Sequence, residues 1–206
     1  MFKRHAAYYG FVLALLIVVT ACSNIPSKAP ASLSPSEAAT SAVTNLESPA
    51  ERVLSLYEEE DMSTEDKATN MLAHLEDMDW TEYNRLSNGK TLETLELLYT
   101  HRSLIQPEHY TSLFLATTNL DGASAEQYAA IVGELFTKDR KGVVQALADL
   151  GDEADRQSVI SSIAYHLGYQ DVAQVKQEVR QWQTNKVLHD AEKDVIASLI
   201  AALDNP

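Results

Sequence analysis

Histidine and carboxylate side chains could hold a metal ion, so their spacing is the first guide to chemistry. Helices bind di-iron centres through Glu-x-x-His and zinc through His-Glu-x-x-His. Neither motif occurs at any histidine beyond residue 50, so we predict no metal or other cofactor. These histidines are His74, His101, His109, His166 and His189. His189 and Glu192 are three residues apart, a spacing that we interpret as capping a helix start.

A second histidine arrangement leaves a metal-binding alternative open. His101 and His109 lie on either side of a proline-containing loop and could converge on Glu93 or Glu96, one or two helical turns back. Surface helices often place glutamate near histidine without binding a metal. We therefore interpret these four residues as ordinary surface side chains.

Motifs of hydrolysis are scarce, because the chain has no Gly-x-Ser-x-Gly elbow and no glycine-rich phosphate loop. Its densest carboxylate run is Glu58 to Asp61. General acid and base catalysis requires one carboxyl group in an apolar pocket beside an ionised partner, whereas four adjacent acids repel one another and stay solvated. Weak binding of calcium or of a basic partner is the alternative for this run.

Aromatic side chains provide a candidate binding surface. Tyr165, His166 and Tyr169 lie on either side of Gly168, where a helix should end and side chains become more exposed. Tyrosine is frequent in protein interfaces, so we predict that these three residues contact a partner, with packing into the core as the alternative. Trp182 follows an apolar helical stripe and is predicted to lie in the core.

The composition is that of a globular protein. The 206 residues are 45% hydrophobic and 22% charged with a single cysteine, which excludes a disordered chain and a disulfide scaffold. The net charge is −14. Nucleic-acid binding depends on clustered cations, so we predict no nucleic-acid partner and favour a basic protein partner.

The N-terminus has the layout of an export signal. Lys3 and Arg4 precede an apolar run, Phe11 to Val19, which is too short to span a membrane as a helix and has the length of a signal-peptide core. The following Val19-Thr20-Ala21-Cys22 resembles the lipobox of bacterial lipoprotein precursors. An uncleaved membrane anchor is the alternative.

The lipobox resemblance implies a location. Residues 1–21 would be a signal peptide cleaved between Ala21 and Cys22, and Cys22 would carry acyl chains such as palmitate. Ser23, rather than aspartate, would then favour the periplasmic side of an outer membrane in an organism with two membranes, and the outer face of the cell membrane otherwise. Loss of Lys3 and Arg4 leaves 14 basic and 30 acidic side chains, so the mature charge is 14 − 30 = −16.

Residues 22–48 are predicted to be a tether with a short stalk helix. Proline, serine, alanine and threonine dominate this stretch, which cannot bury enough apolar surface to offset its ordering entropy. Two Ser-Pro-x-Glu sequences, beginning at Ser34 and Ser48, match the capping box with proline at the first helical position.

Residues 49–206 are predicted to be an all-α domain, because apolar residues recur at helical spacing throughout. The later helices are predicted to start near Ser124, Asp139, Asp155, Asp171 and His189. Two architectures fit these spacings: a compact bundle of short antiparallel helices, which we favour, and a solenoid-like array of helical hairpins.

These features predict a membrane-anchored, non-enzymatic helical module that binds a protein partner during envelope assembly, as a chaperone or as an adaptor. One alternative is an envelope hydrolase whose carboxylate pair assembles only in three dimensions. The other is a sensor of cations or of a small ligand.

Overall fold

The computed structural model describes residues 47–205, and in this part of the chain it contains ten α-helices and no strand. The all-α prediction is confirmed for these residues. The predicted signal peptide, the predicted lipidation site Cys22, most of the predicted tether and the predicted helix start at Ser34 lie outside the described residues. The helices are α1 Pro49–Glu58, α2 Thr64–Leu72, α3 Trp80–Leu86, α4 Thr91–Thr100, α5 Tyr110–Phe114, α6 Gly122–Lys138, α7 Arg140–Asp149, α8 Glu153–Leu167, α9 Val172–Thr184 and α10 Asp190–Ala202.

Polar caps fix where the helices begin. The capping box at Ser48 is confirmed: Glu51 N–H donates to Ser48 Oγ at 3.2 Å, and Ser48 N–H donates to Glu51 Oε2 at 2.9 Å. Asp139, Asp171 and His189 are also N-cap residues, as the spacing predicted.

Two predicted helix starts are wrong by three residues. The N-caps of α6 and α8 are Asp121 and Asp152, rather than Ser124 and Asp155. In α8, Asp152 Oδ1 accepts backbone N–H bonds from Ala154 and Asp155, which fixes the start of this helix. The side chain of Asp121 makes no capping hydrogen bond at the start of α6.

The helices pack as a compact bundle around α6. Helix α6 contacts α4, α7 and α8, while α1, α2 and α3 pack near α4. Helix α10 contacts both α7 and α8. This arrangement is the compact bundle that we favoured over a solenoid-like array.

Buried aromatic side chains satisfy their polar atoms inside one continuous hydrophobic core. Trp80 Nε1 donates to the Ala116 carbonyl at 2.8 Å, and the Tyr128 hydroxyl donates to the Leu113 carbonyl at 3.0 Å. Tyr83 is bonded to Thr94 Oγ1 at 2.6 Å, and burial raises the pKa of this tyrosine to about 12. Such bonds avoid the penalty for burying an unpaired polar group.

Trp182 lies at the edge of the core rather than inside it. Its side chain is half-buried, and the Arg140 guanidinium carbon lies 5.7 Å from the centre of its ring and 5.1 Å from that of Phe136. Trp182 packs against the core but is only partly buried, so the prediction that it lies in the core is only partly correct.

Among residues 47–205, no helix is both long enough and apolar enough to span a membrane.

Gly142 has a local role in the start of α7. Its N–H donates to Asp139 Oδ1 at 3.0 Å, and Asp139 Oδ2 accepts a hydrogen bond from the Tyr110 hydroxyl at 3.1 Å. A Cβ at position 142 would lie 2.9 Å from Asp139 Cγ and closer still to Oδ2. Glycine here makes room for the capping carboxylate.

Gly142→Ala should therefore lower the free energy of unfolding. Displacing the carboxylate weakens two hydrogen bonds, which costs about 2 kcal/mol, and the better helix propensity of alanine restores at most about 1 kcal/mol. Urea denaturation followed by circular dichroism measures the difference. Gly151→Ala is the matched control, because no atom lies within 4 Å of its added Cβ. Equal stability of the two variants would contradict this role of Gly142.

Candidate functional site

A groove runs along the exposed side of α6, between α4 and α8. Its floor is formed by residues of α6, one wall by α4, and the other by the end of α8 and the turn that follows. The cavity volume is about 390 Å³. We call this the α6 groove, and it is lined by Leu92, Glu96, Ala123, Glu126, Gln127, Ala130, Tyr165, His166 and Tyr169.

The three residues predicted to contact a partner all lie in the α8 wall. Tyr169 is 76% exposed, whereas Tyr165 and His166 are half-buried. The hydroxyls of Tyr165 and Tyr169 share a hydrogen bond of 2.6 Å, and the two rings meet edge to face with centres 5.3 Å apart. Helix α8 ends at Leu167, with Gly168 as its C-cap, so the predicted helix end is confirmed and Tyr169 lies just beyond it.

Tyr165 also interacts with a carboxylate of the groove. The hydrogen bond with Tyr169 raises the pKa of Tyr165 most, followed by desolvation and then by the interaction with Glu126. Glu126 and Tyr165 also line a second hollow of about 420 Å³, whose other residues include Ala125, Ala129 and Ser162. The pair therefore separates two adjacent depressions along α6.

His166 is held close to α6 by a glycine that sequence reasoning missed. A Cβ at Gly133 would lie 2.6 Å from the Cβ of His166 and closer still to its ring atoms. Real side chains do not approach so closely, so only glycine permits this contact. The α8 wall stands where it does because α6 has no side chain at position 133.

A polar network extends the exposed surface toward the end of α6. Glu134 Oε1 accepts a hydrogen bond from the Tyr99 hydroxyl at 2.5 Å, and Glu134 Oε2 forms an ion pair with Arg102 Nε. The Arg102 guanidinium carbon lies 4.2 Å from the centre of the Tyr99 ring. Desolvation alone would raise the pKa of Glu134, but bonds from Tyr99 and Arg102 outweigh it, and the pKa lies below its usual value.

The predicted histidine and carboxylate arrangements form caps and exposed surface. His189 N–H donates to Glu192 Oε2 at 2.7 Å at the start of α10, as the capping interpretation predicted. His109 Nδ1 accepts the Gln106 N–H at 3.1 Å, and His101 is the C-cap of α4. No group of three or more metal-ligating side chains lies close enough to hold an ion within residues 47–205.

The acidic run at Glu58 to Asp61 is exposed at the end of α1. Lys90 Nζ lies 3.3 Å from Glu58 Oε1 and 5.6 Å from the centre of the Tyr57 ring. A solvated cluster with one cationic neighbour fits the interpretation made from the sequence.

One motif spacing that sequence reasoning missed is Ser87-x-x-Lys90, which in some hydrolases pairs a nucleophile with its base. Here Ser87 is the C-cap of α3, and its Oγ accepts the Lys90 N–H at 3.1 Å. The Lys90 amine instead donates to Glu58 Oε1. The spacing therefore forms a turn and places no amine beside the serine hydroxyl.

Comparison of the chain with protein-family models, with curated proteins and with solved structures gave no match in any of the three.

The Glu134 network predicts a stability difference that depends on pH. A carboxyl group whose pKa is lowered by folding stabilises the fold above its unfolded pKa, and this contribution disappears as pH falls through the folded pKa. Glu134→Gln should lower the free energy of unfolding by about 1 kcal/mol at neutral pH, and the two proteins should converge as pH falls through the lowered folded pKa of Glu134. Thermal denaturation from neutral to acidic pH measures the difference.

Glu93→Gln serves as the control, because it removes an exposed carboxylate from the neighbouring α4. It should have little effect at any pH. If the wild-type protein and Glu134→Gln differ in stability by the same amount from neutral to acidic pH, the claim that the ionised carboxylate of Glu134 stabilises the fold is contradicted.

Proposed function

We propose that this protein is a lipid-anchored, non-enzymatic interaction module of a bacterial cell envelope that binds a protein partner in the α6 groove. The observation that carries the proposal is the Tyr165–Tyr169 pair, with Tyr169 mostly exposed, beside a groove with carboxylates on its floor and opposite wall. Tyrosine supplies a large contact area with few rotatable bonds, which is why it is frequent at binding hot spots.

The lipobox supports the location. Lipidation of Cys22 would hold the domain at the periplasmic side of an outer membrane, or at the outer face of the cell membrane where there is only one. Confinement to a surface raises the effective concentration of a partner in the same membrane. Assembly, chaperone and adaptor roles in the envelope all use such a tethered module.

The alternative of an envelope hydrolase needs a carboxyl group that remains protonated near neutral pH beside an ionised one. Glu192 is the buried carboxylate among the described residues, and it accepts the His189 backbone N–H at the start of α10. The pKa of Glu134 is lowered rather than raised. The environment of Glu134 does not favour a general acid, and the carboxylate of Glu192 is used as a helix cap, so we prefer the interaction module.

A photo-crosslinking amino acid placed at position 169 tests the proposal in living cells. In the membrane-anchored protein it should capture one protein species, identified by mass spectrometry, and this adduct should be lost with Cys22→Ala because the domain is no longer delivered to its membrane. The control places the same crosslinker at Val187, which is fully exposed and lies outside the α6 groove.

An adduct formed from position 169 but not from position 187 would support partner binding in the groove. Equal patterns from both positions, or no adduct from position 169, would contradict it. Lipid attachment is checked separately by metabolic labelling with a palmitate analogue, which Cys22→Ala should abolish.

A further inference from the structure

We infer that the α6 groove recognises a lysine or arginine side chain on a segment of its partner. This inference rests on the proposed function and specifies the chemistry of the same site. Recognition of such a side chain requires aromatic faces that can contact a cation and carboxylates that can neutralise its charge. It also requires that no lysine or arginine of this chain already occupies the groove.

The aromatic wall provides the first requirement. The rings of Tyr165 and Tyr169 are perpendicular, with an interplanar angle of 90°, and Tyr169 is mostly exposed. An ammonium or guanidinium group over such a ring is attracted to the negative face of the π-system. Two rings at right angles can contact one cation from two sides.

The carboxylates come from two different helices. Glu96 belongs to α4 and Glu126 to α6, and both line the same groove as the two rings. Both side chains are exposed, and neither belongs to an ion pair within the described residues. Glu134 differs, because Arg102 already neutralises its charge.

The described residues that line the groove include no lysine or arginine, and His166 is the histidine among them. A lysine or arginine entering from outside would therefore meet two carboxylates and two tyrosine rings without displacing a lysine or arginine of this chain. Charge complementarity of this kind selects a cationic partner and disfavours an acidic one.

The second hollow indicates which side chain of the partner segment lies beside the lysine or arginine. It shares Glu126 and Tyr165 with the groove and is otherwise lined mainly by small side chains such as Ala125 and Ala129. A small or medium apolar side chain on the same segment fits there. The occupant is thus a protein segment that carries lysine or arginine next to apolar residues.

Fluorescence anisotropy with labelled peptides tests this chemistry on the full chain in a non-ionic detergent. The probe is a short peptide of the repeat Lys-Ala-Leu-Ala, compared with the same peptide in which every lysine is acetylated. Acetylation removes the charge and keeps the length, so the unmodified peptide should bind more tightly and lose affinity as salt is added.

Three substitutions in the groove should each weaken binding of the unmodified peptide roughly two- to fivefold: Glu96→Gln, Glu126→Gln and Tyr169→Ala. The control is Glu60→Gln, which removes an exposed carboxylate that does not line the groove. It should weaken binding less than about 1.5-fold, because a charge outside the site acts only through screened solvent. Circular dichroism confirms that each variant is folded.

Two results would overturn the inference. Equal affinity for the acetylated peptide would show that charge is not recognised, and an equal loss with Glu60→Gln would show attraction to the net charge rather than to the groove. Crosslinking from position 169 distinguishes this failure from failure of the proposed function. An adduct whose yield is unchanged when Glu96→Gln and Glu126→Gln are combined would support a protein partner in the groove and contradict recognition of a cation.

Discussion

The close approach of α6 and α8 at Gly133 is the contact on which the candidate site depends. Helices packed through ordinary side chains keep their axes 8–10 Å apart, and the missing side chain at Gly133 lets His166 lie directly on the α6 backbone. Tyr165 is the neighbour of His166 in sequence, and Tyr169 follows one turn later. The contact therefore sets the distance of the whole aromatic wall from the floor of the groove.

Helix α6 serves both the fold and the site. One side carries Tyr128, Ile131, Val132 and Leu135 into the core, where they are almost completely buried. The other side presents Glu126 and small residues to solvent as the floor of the groove. Because α4 and α8 both pack on this helix, carboxylates and aromatic rings from three helices converge on one surface. A rigid scaffold of this kind holds its side chains ready for a partner, which lowers the entropy lost on binding.

The sequence predicted the local structure well, because that structure depends on neighbours along the chain. Apolar periodicity predicted the helices, and the capping box at Ser48 gave the start of α1. The exposed turn at Gly168 singled out Tyr169. Glu126 and Gly133 were missed because their roles depend on residues about 30 to 40 positions away in sequence. A glycine in the middle of an apolar helical stripe was the one local signal of close packing, and it does not indicate which helix approaches.

The most direct test of this account is a double-mutant cycle between Gly133 and His166, measured as free energy of unfolding by urea denaturation. Gly133→Ala should destabilise the fold by about 1–3 kcal/mol, because the added Cβ meets the Cβ of His166 and the helices must separate. In the background of His166→Gly most of that loss should disappear, giving a coupling energy above about 1 kcal/mol. Additive effects of the two substitutions, or an unchanged stability of Gly133→Ala, would contradict the claim that this contact sets the groove.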